Sequence, residues 1–292
     1  MRKVIWVSST LLILAVIFSI ARADQQLRVA TLDWAIAETL LGLGITPIAV
    51  GDKQSYQTWV NQPALEDQVI DLGSRLQPNK ELLATLSIQL FPNGDMFMPA
   101  VEANRHYLTA LQQAPRINFY QSGDFWNNQM KATRQLAQSL DHIVQGEQLI
   151  QQTEQLLNTV KQQLTKQKHR PLLVVQFIDG RHLRVYGKQS LPGVVLEKIG
   201  LTNAWQQPVN LWGFTQIGID QLAQFADARL IVIKPYPQQI PLELANNTLW
   251  KSLRLAKDPL ILPAIWTFGA LPSMQRFSVA LRDALLDGGL VW

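Results

Sequence analysis

Short apolar runs alternate with amphipathic segments in the first part of the chain, and this alternation is typical of an α/β fold. Four of the runs predict strands, at residues 27–32, 45–51, 69–73 and 88–92. The segment 33–44 predicts a helix that ends in glycine, and Asn79 is the expected N-cap of a second helix over KELLATL. Because helices separate the strands, the pattern favours a parallel sheet.

The segment from Lys131 to Lys168 has a different pattern, with no proline and a single glycine, Gly146. Its apolar residues recur at helical spacing among Gln, Glu and Lys. They are Leu136, Leu140, Ile143, Leu149, Leu156, Leu157, Val160 and Leu164. We expect one long amphipathic helix, or a helix interrupted near Gly146. Roughly 25–35 helical residues would span about 40–50 Å, which is longer than one small domain.

The alternation of strands and helices resumes after this segment. Strands are predicted at 171–179, 182–187, 229–236 and 260–269. The first two are expected to form a hairpin across Gly180 and Arg181. Helices are predicted at 191–201, 219–225 and 273–286. The pattern therefore predicts two α/β lobes, 24–130 and 169–292, joined by a single long helix at 131–168.

The N-terminus has the pattern of a secretory signal peptide, residues 1–23, with two basic residues, an apolar run at 4–20 and the end Ala-Arg-Ala. We expect cleavage after Ala23. The alternative is an uncleaved membrane anchor, for which a run of 17 residues is short. The chain has no cysteine, so neither a disulfide nor a lipid-bearing cysteine is expected. The expected location is the periplasm of a Gram-negative cell.

The charge balance argues against a nucleic-acid partner. The predicted signal peptide contains three of the 26 Lys and Arg residues and none of the 22 Asp and Glu residues, so the remaining chain has a net charge of +1. A protein that binds nucleic acid through its phosphates normally presents a strongly basic surface. We therefore expect no such partner.

Motifs of common catalytic sites are absent from the sequence. It contains no G-x-S-x-G, no H-E-x-x-H and no G-x-x-x-x-G-K-[ST]. The four histidines lack the local spacing of metal ligands; they are His106, His142, His169 and His182. A metal site formed by residues that are distant in sequence stays an alternative. The sequence nevertheless favours a protein that is not an enzyme and does not ligate a metal itself.

The placement of several of the nine tryptophans indicates an aromatic cleft. They lie in predicted loops or just after predicted elements, and examples are Trp59, Trp126, Trp212 and Trp266. A tryptophan beside Gly, Pro or Asn in a loop is often half exposed, and binding clefts use such residues. The alternative is that each one pins a loop to the core.

Arg75 stands where the strand 69–73 ends, and ligands of α/β proteins collect at the carboxyl ends of strands. Its side chain is always charged and offers several donors in a fixed fork, which suits an anionic or oxygen-rich ligand. The alternative is an ordinary solvated charge in a loop.

Four segments resemble the periplasmic iron(III)-hydroxamate-binding proteins, which are the substrate-binding components of siderophore ABC importers. They are VIDLGSRLQPNKELL (69–83), PLLVVQFIDGRHLRVYG (171–187), NAWQQPVNLWGFTQIGIDQLA (203–223) and LPAIWTFGALPSM (262–274). The resemblance extends through almost the whole chain after the predicted signal peptide. It implies the class III periplasmic binding protein architecture, in which two lobes joined by a rigid helix hold the ligand in a shallow aromatic cleft.

The resemblance also implies roles for individual residues. Arg75 would donate to the hydroxamate and carbonyl oxygens around iron, and Trp212 would lie against the ligand. Trp59 and Trp266 fall where the family has aromatic wall residues, and Leu191 would add apolar contact. The siderophore supplies all the iron ligands, so no cofactor is expected and iron enters only as the siderophore complex.

One region departs from the family pattern, which has a tryptophan and, four residues on, a tyrosine whose hydroxyl helps to bind the ligand. Asn93 and Phe97 stand at these positions. The lost hydrogen bond would cost roughly 1–3 kcal/mol. Either Asn93 or a neighbouring group compensates, or the preferred siderophore differs; Tyr56 and Tyr120 are candidates for compensation.

The family presents one acidic residue per lobe to arginines of the membrane permease, and by position these are Glu102 and Asp220. The alternative is that both are ordinary carboxylates at helix starts. The function expected from the resemblance is reversible capture of a ferric hydroxamate by a monomer and its delivery to an ABC permease. Because a long linking helix resists wide hinge closure, we expect modest motion on binding.

Two other functions stay open at this point. The same fold would bind haem, cobalamin or a catecholate siderophore; however, the predicted cleft loops offer no histidine for haem, and one arginine is little for a catecholate complex of about −3 charge. A siderophore esterase is the alternative of another class, and the missing nucleophile motif weighs against it.

Overall fold

The structure is a computed structural model that describes residues 27–107, 109–121, 123–290 and 292. The predicted signal peptide, residues 1–23, lies outside the described residues. Within them, no helix has the combination of length and apolar character that a membrane span needs.

The N-terminal lobe is built on a three-stranded parallel sheet, as the alternating pattern predicts. In spatial order its strands are β1 (Ala30–Thr31), β2 (Ala49–Val50) and β3 (Ile70–Asp71). The predicted fourth strand at 88–92 contributes a single parallel bridge, Val29 to Leu90. The helices are α1 (Trp34–Gly42), α2 (Lys53–Trp59), α3 (Lys80–Thr85), α4 (Met98–Asn104) and α5 (Thr109–Gln112). The Asn79 side chain accepts from Leu82 N at 2.9 Å, which confirms it as the N-cap of α3.

The segment 131–168 is not one unbroken helix; it is interrupted near Gly146, which is the alternative that the sequence left open. The chain forms α6 (Phe125–Ser139) and α7 (Ile143–Leu164), separated by a turn in which Asp141 has a φ of 55°. Gly146 is not the interruption but a close contact between the two helices, since an added Cβ would lie 2.6 Å from Ala137 Cβ. At 22 residues, α7 is about 33 Å long.

The C-terminal lobe has a five-stranded mixed sheet in the order β6–β5–β4–β7–β8. These strands are β4 (Leu172–Phe177), β5 (His182–Tyr186), β6 (Phe214–Gly218), β7 (Arg229–Lys234) and β8 (Leu260–Ala264). The antiparallel pairing of β4 with β5 confirms the predicted hairpin, and β4, β7 and β8 are parallel. The helices are α8 (Leu191–Lys198), α9 (Ile240–Asn246), α10 (Thr248–Ser252) and α11 (Leu271–Asp287), and the predicted helix at 219–225 is a 3-10 helix.

Polar contacts and a shared core join the two lobes. Glu38, fully buried on α1, accepts hydrogen bonds from Ala270 N and from Ser273 Oγ, the latter at 2.5 Å, at the start of α11. Arg276 of α11 donates to Val60 O at 2.8 Å. The largest hydrophobic cluster contains residues of both lobes and of α6, α7 and α11. The lobe limits at residues 130 and 168 stay a prediction.

Candidate functional site

A cleft of about 670 Å³ lies between loops of the two lobes. Its lining consists of Asp33, Arg75, Gly94, Asp95, Met96, Phe97, Asn118, Phe119 and Tyr120 from the N-terminal lobe and Leu211, Trp212, Phe214, Trp266 and Phe268 from the C-terminal lobe. Asp33, Arg75 and Trp266 each follow the carboxyl end of a parallel strand, which is where α/β proteins bind ligands. Half of these lining residues are aromatic, and three are charged.

Arg75 is held in the cleft by aromatic rings. Its guanidinium carbon lies 3.6 Å from the centre of the Trp34 ring and 5.3 Å from that of Phe97. Burial lowers the pKa of Arg75, and the negative charges of Asp33 and Asp52 oppose this effect; the arginine nevertheless stays charged. Its side chain makes no hydrogen bond or ion pair with another residue that the structure describes, so its donors are free for oxygen atoms of a ligand.

The aromatic walls come from both lobes. The Trp212 ring centre lies 5.6 Å from that of Tyr120 and 6.0 Å from that of Phe268. Trp266 lies 5.2 Å from Phe268 and 5.0 Å from Trp34. These rings form a continuous apolar surface beside the free guanidinium, which suits a ligand with both hydrocarbon and oxygen atoms.

The two tyrosines considered as replacements for the missing hydroxyl use their own hydroxyls within the protein. Tyr56 donates to Pro63 O at 2.8 Å and is buried away from the cleft. Tyr120 lines the cleft, but its hydroxyl contacts Thr267 O at 3.3 Å and Gly269 O at 3.1 Å in the opposite lobe. Burial raises the pKa of Tyr120 well above its ordinary range, so the hydroxyl stays protonated and donates to these carbonyls.

The predicted site residues fall into two groups. Arg75, Phe97, Trp212 and Trp266 line the cleft. The others lie outside its lining; they are Trp59, Asn93 and Leu191. Contact of any of these seven residues with a ligand stays a prediction.

Each residue outside the lining has a partner within the fold. The Asn93 side chain accepts from Leu32 N at 2.7 Å and donates to Phe91 O at 3.1 Å, so its polar atoms are already used. Leu191 is fully buried in the core at the start of α8. Trp59 packs behind the cleft wall, with its ring 6.3 Å from that of Trp266.

Two residues that line the cleft were missed from the sequence, although their positions in it could have predicted them. Asp33 directly follows the first predicted strand, as Arg75 follows the third, and it caps α1 by accepting from Ala35 N at 2.9 Å. Burial raises the pKa of Asp33. Phe268 lies two residues after Trp266 in the same loop. The rule that ligands meet strand ends applies to both residues.

Glu102 and Asp220 are both exposed. Glu102 lies within α4 and forms an ion pair with Arg105 at 2.7 Å, while Asp220 is in the first turn of the 3-10 helix at 219–225. Their contact with a permease stays a prediction.

The turn that carries Trp212 requires glycine at the next position. Gly213 has a φ of 78°, and an added Cβ would lie 2.6 Å from Ser190 Cα. The Asn210 side chain accepts from Trp212 N at 2.9 Å and closes the turn. The turn therefore fixes Trp212 at the cleft edge.

We expect Gly213→Ala to lower the free energy of unfolding by more than Gly44→Ala. Gly44 also has a positive φ, of 80°, but its added Cβ would meet nothing within 4 Å, so it pays only the conformational cost of about 1–2 kcal/mol. Urea unfolding of both variants measures the difference. Equal losses would contradict the steric role of Ser190.

Comparison with known proteins identifies the family. The profile described as periplasmic binding protein matches residues 29–258. The iron(3+)-hydroxamate-binding protein FhuD of Escherichia coli (strain K12) is 31% identical over 267 residues, covering 91% of this chain and 89% of that protein. The structure of the siderophore-binding protein FhuD from Vibrio cholerae with Fe3+-Desferal matches with a TM-score of 0.82 at 22% identity, over 91% of this chain and 100% of that chain.

A triscatecholate-binding protein has a more distant similarity. The structure of FeuA from Bacillus subtilis with ferri-bacillibactin matches with a TM-score of 0.65 at 16% identity, over 90% of this chain and 93% of that chain. The structural matches agree with the sequence profile on the fold. The chain therefore belongs to the periplasmic binding protein family.

Proposed function

We propose that this chain is the substrate-binding component of an ABC importer and that it captures ferric hydroxamate siderophores in the cleft between its lobes. The observation that carries the proposal is the Arg75 guanidinium, which lies between aromatic rings with its donors free. Hydroxamate and carbonyl oxygens around Fe³⁺ carry partial negative charge and accept from such donors. The aromatic walls suit the hydrocarbon parts of the same ligand.

The charge of the cleft favours a neutral complex. Among the residues that the structure describes, its lining contains one basic residue, Arg75, and two acidic residues, Asp33 and Asp95. The iron centre of a ferric trihydroxamate has no net charge, whereas that of a ferric triscatecholate carries about −3 and would be repelled by these carboxylates, of which Asp33 is half-buried and Asp95 is exposed and lies 4.0 Å from Arg116. The 31% identity to the hydroxamate-binding protein of Escherichia coli supports the same choice.

The proposal includes the delivery of the ligand. The family suggests an exported location, and the predicted signal peptide supports the Gram-negative periplasm. The protein would act as a monomer and release its ligand unchanged to an inner-membrane permease, which Glu102 and Asp220 would contact. No chemical step on the ligand is part of this function.

Titration of intrinsic tryptophan fluorescence tests the proposal. Purified protein is titrated with ferrichrome, ferrioxamine B, a ferric triscatecholate and haem, and the Ga³⁺ complexes serve as controls that absorb no visible light. We expect saturable quenching by both hydroxamates at micromolar or lower concentration, and at least about tenfold weaker binding of the triscatecholate.

Tighter binding of haem or of the triscatecholate would contradict the proposed cargo. Mass spectrometry of the ligand after long incubation tests the absence of chemistry. Hydrolysis that depends on the protein would contradict a pure binding function.

A further inference from the structure

Trp34 is a buried aromatic residue that the sequence analysis did not single out, and it lies directly under the cleft arginine. Its side chain is 2% exposed, and one face of its ring contacts the Arg75 guanidinium, with the guanidinium carbon 3.6 Å from the ring centre. Trp34 follows Asp33 in the first turn of α1. It therefore lies beneath the lining of the cleft, in the N-terminal lobe.

The orientation of the Trp34 ring is fixed from several sides. Its Nε1 donates to Gly51 O at 2.9 Å. The ring of Tyr56 packs edge to face against it at 6.2 Å, and the ring of Trp266 packs against it at 5.0 Å. A ring with these contacts cannot tilt without breaking the hydrogen bond or opening the packing around it.

The same backbone segment also leaves room for the stem of the arginine. An added Cβ at Gly51 would lie 2.8 Å from Arg75 Cγ and 3.3 Å from Arg75 Cα. The carbonyl of Gly51 therefore holds the indole by a hydrogen bond, and the absence of a side chain at Gly51 leaves space for the arginine stem. The pairing of Trp34 with Arg75 depends on both properties.

No described residue fixes the guanidinium by a hydrogen bond. Asp33 and Asp52 act on it only through their charge, and Phe97 is more distant, at 5.3 Å. Stacking occupies a face of the guanidinium and leaves the N–H groups at its edge free. The indole is thus a support that orients the donors without consuming them.

We propose that Trp34 is a positioning residue for ligand binding, which holds the Arg75 guanidinium flat so that its free N–H groups face the cleft. The identity of the ligand rests on the proposed function, whereas the stacking itself does not. An arginine ordered before binding loses less side-chain entropy when the ligand arrives, so removal of the indole weakens binding even though Trp34 lies beneath the arginine.

The first test needs no ligand. The Arg75 Nε–Hε resonance, identified by its absence in Arg75→Lys, is expected upfield of the other arginine resonances because of the indole ring current. This shift is expected to disappear in Trp34→Leu and to persist in part in Trp34→Phe. An Arg75 resonance at an ordinary position in the wild-type protein would overturn the proposal, whichever ligand the protein binds.

The second test is a double-mutant cycle with the Ga³⁺ complex of ferrioxamine B, measured by calorimetry. We expect Trp34→Leu to weaken binding about tenfold in the wild-type background and less than about twofold in the Arg75→Ala background. Trp34→Phe is expected to restore part of the affinity. Trp250→Leu, at a buried tryptophan of the C-terminal lobe, is the matched control and is expected to leave the affinity unchanged.

The outcomes separate this inference from the proposed function. If the wild-type protein binds no hydroxamate, the proposed function is wrong. The position of the Arg75 Nε–Hε resonance still shows whether the guanidinium stacks on Trp34. An equal effect of Trp34→Leu in both backgrounds would show a general structural role and overturn the inference. Gly51→Ala displaces the arginine stem without changing the indole, and it replaces Trp34→Leu in this test if Trp34→Leu does not fold. We expect Gly51→Ala to lose the same affinity.

Discussion

Arg75→Ala is expected to weaken binding of gallium ferrioxamine B by about 100-fold or more. Each hydrogen bond from a charged donor contributes about 1.5–3 kcal/mol, and the Arg75 fork offers at least two to neighbouring ligand oxygens. Two such bonds therefore correspond to about 100-fold or more in affinity. The affinity of Arg75→Lys is expected to lie between those of the wild-type protein and Arg75→Ala, because lysine keeps the charge but lacks the forked donors of arginine. Calorimetry measures all three affinities.

Arg181→Ala is the matched control for this experiment. Arg181 is exposed and precedes β5, whereas the cleft residue Phe214 pairs with Tyr186 at the other end of that strand. A loss of less than threefold in Arg75→Ala, with an unchanged circular dichroism spectrum, would show that the ligand does not depend on Arg75. The proposed binding mode would then be wrong.

Stability is expected to fall as the pH rises from about 4.5 to about 8 because of Glu38. Burial raises the pKa of Glu38 to about 8, and the hydrogen bonds from Ser273 and Ala270 oppose this shift only in part. The folded protein therefore holds a proton that the unfolded chain releases near its ordinary pKa of 4.5. The contribution to stability is complete below pH 4.5 and is lost as the pH rises through 8, at about 1.4 kcal/mol per pH unit and up to about 5 kcal/mol in total.

The difference between the wild-type protein and Glu38→Gln isolates this effect. Other charged groups face Glu38, namely Asp33 on its own helix and Arg276 on α11, and they are the same in both proteins. We expect the free energy of unfolding of the wild-type protein to fall relative to that of Glu38→Gln between pH 5 and pH 8, as measured by urea unfolding at several pH values. The exposed Glu197→Gln is the control. Parallel curves for the wild-type protein and Glu38→Gln would mean that Glu38 ionises in the folded protein as it does in the unfolded chain.

The features of the fold that the sequence predicts well are local. The strand runs, the hairpin at Gly180 and the cap at Asn79 depend on neighbouring residues, and the structure contains all of them except the strand at 88–92, which forms a single bridge. The break between α6 and α7 carries no such signal, because the turn contains neither glycine nor proline and Asp141 adopts its positive φ without them. Gly146 lies near the break, as expected, but it is inside α7, where its missing side chain serves the packing of the two helices.

The candidate site was predictable where it follows from strand order. Arg75 and Trp266 lie after strands of different sheets, and the α/β rule places both at the cleft. The direction of a loop side chain depends instead on tertiary packing. Asn93 turns inward to accept a hydrogen bond from the backbone of Leu32, and Trp34 supports the arginine from a helix for which no role in the cleft was predicted. Neither placement can be read from spacing alone.

The loop from Trp266 to Ala270 belongs to the C-terminal lobe by sequence, yet Tyr120 and Glu38 of the N-terminal side hold its backbone. One wall of the cleft is therefore attached to both lobes. We therefore expect this wall not to follow its own sheet in a hinge movement, and we expect the cleft to keep its shape when it is empty. Selection among iron complexes would then rest on how well they fit a rigid outline, and a single substitution in this loop would change the range of cargo without any change in the movement of the protein.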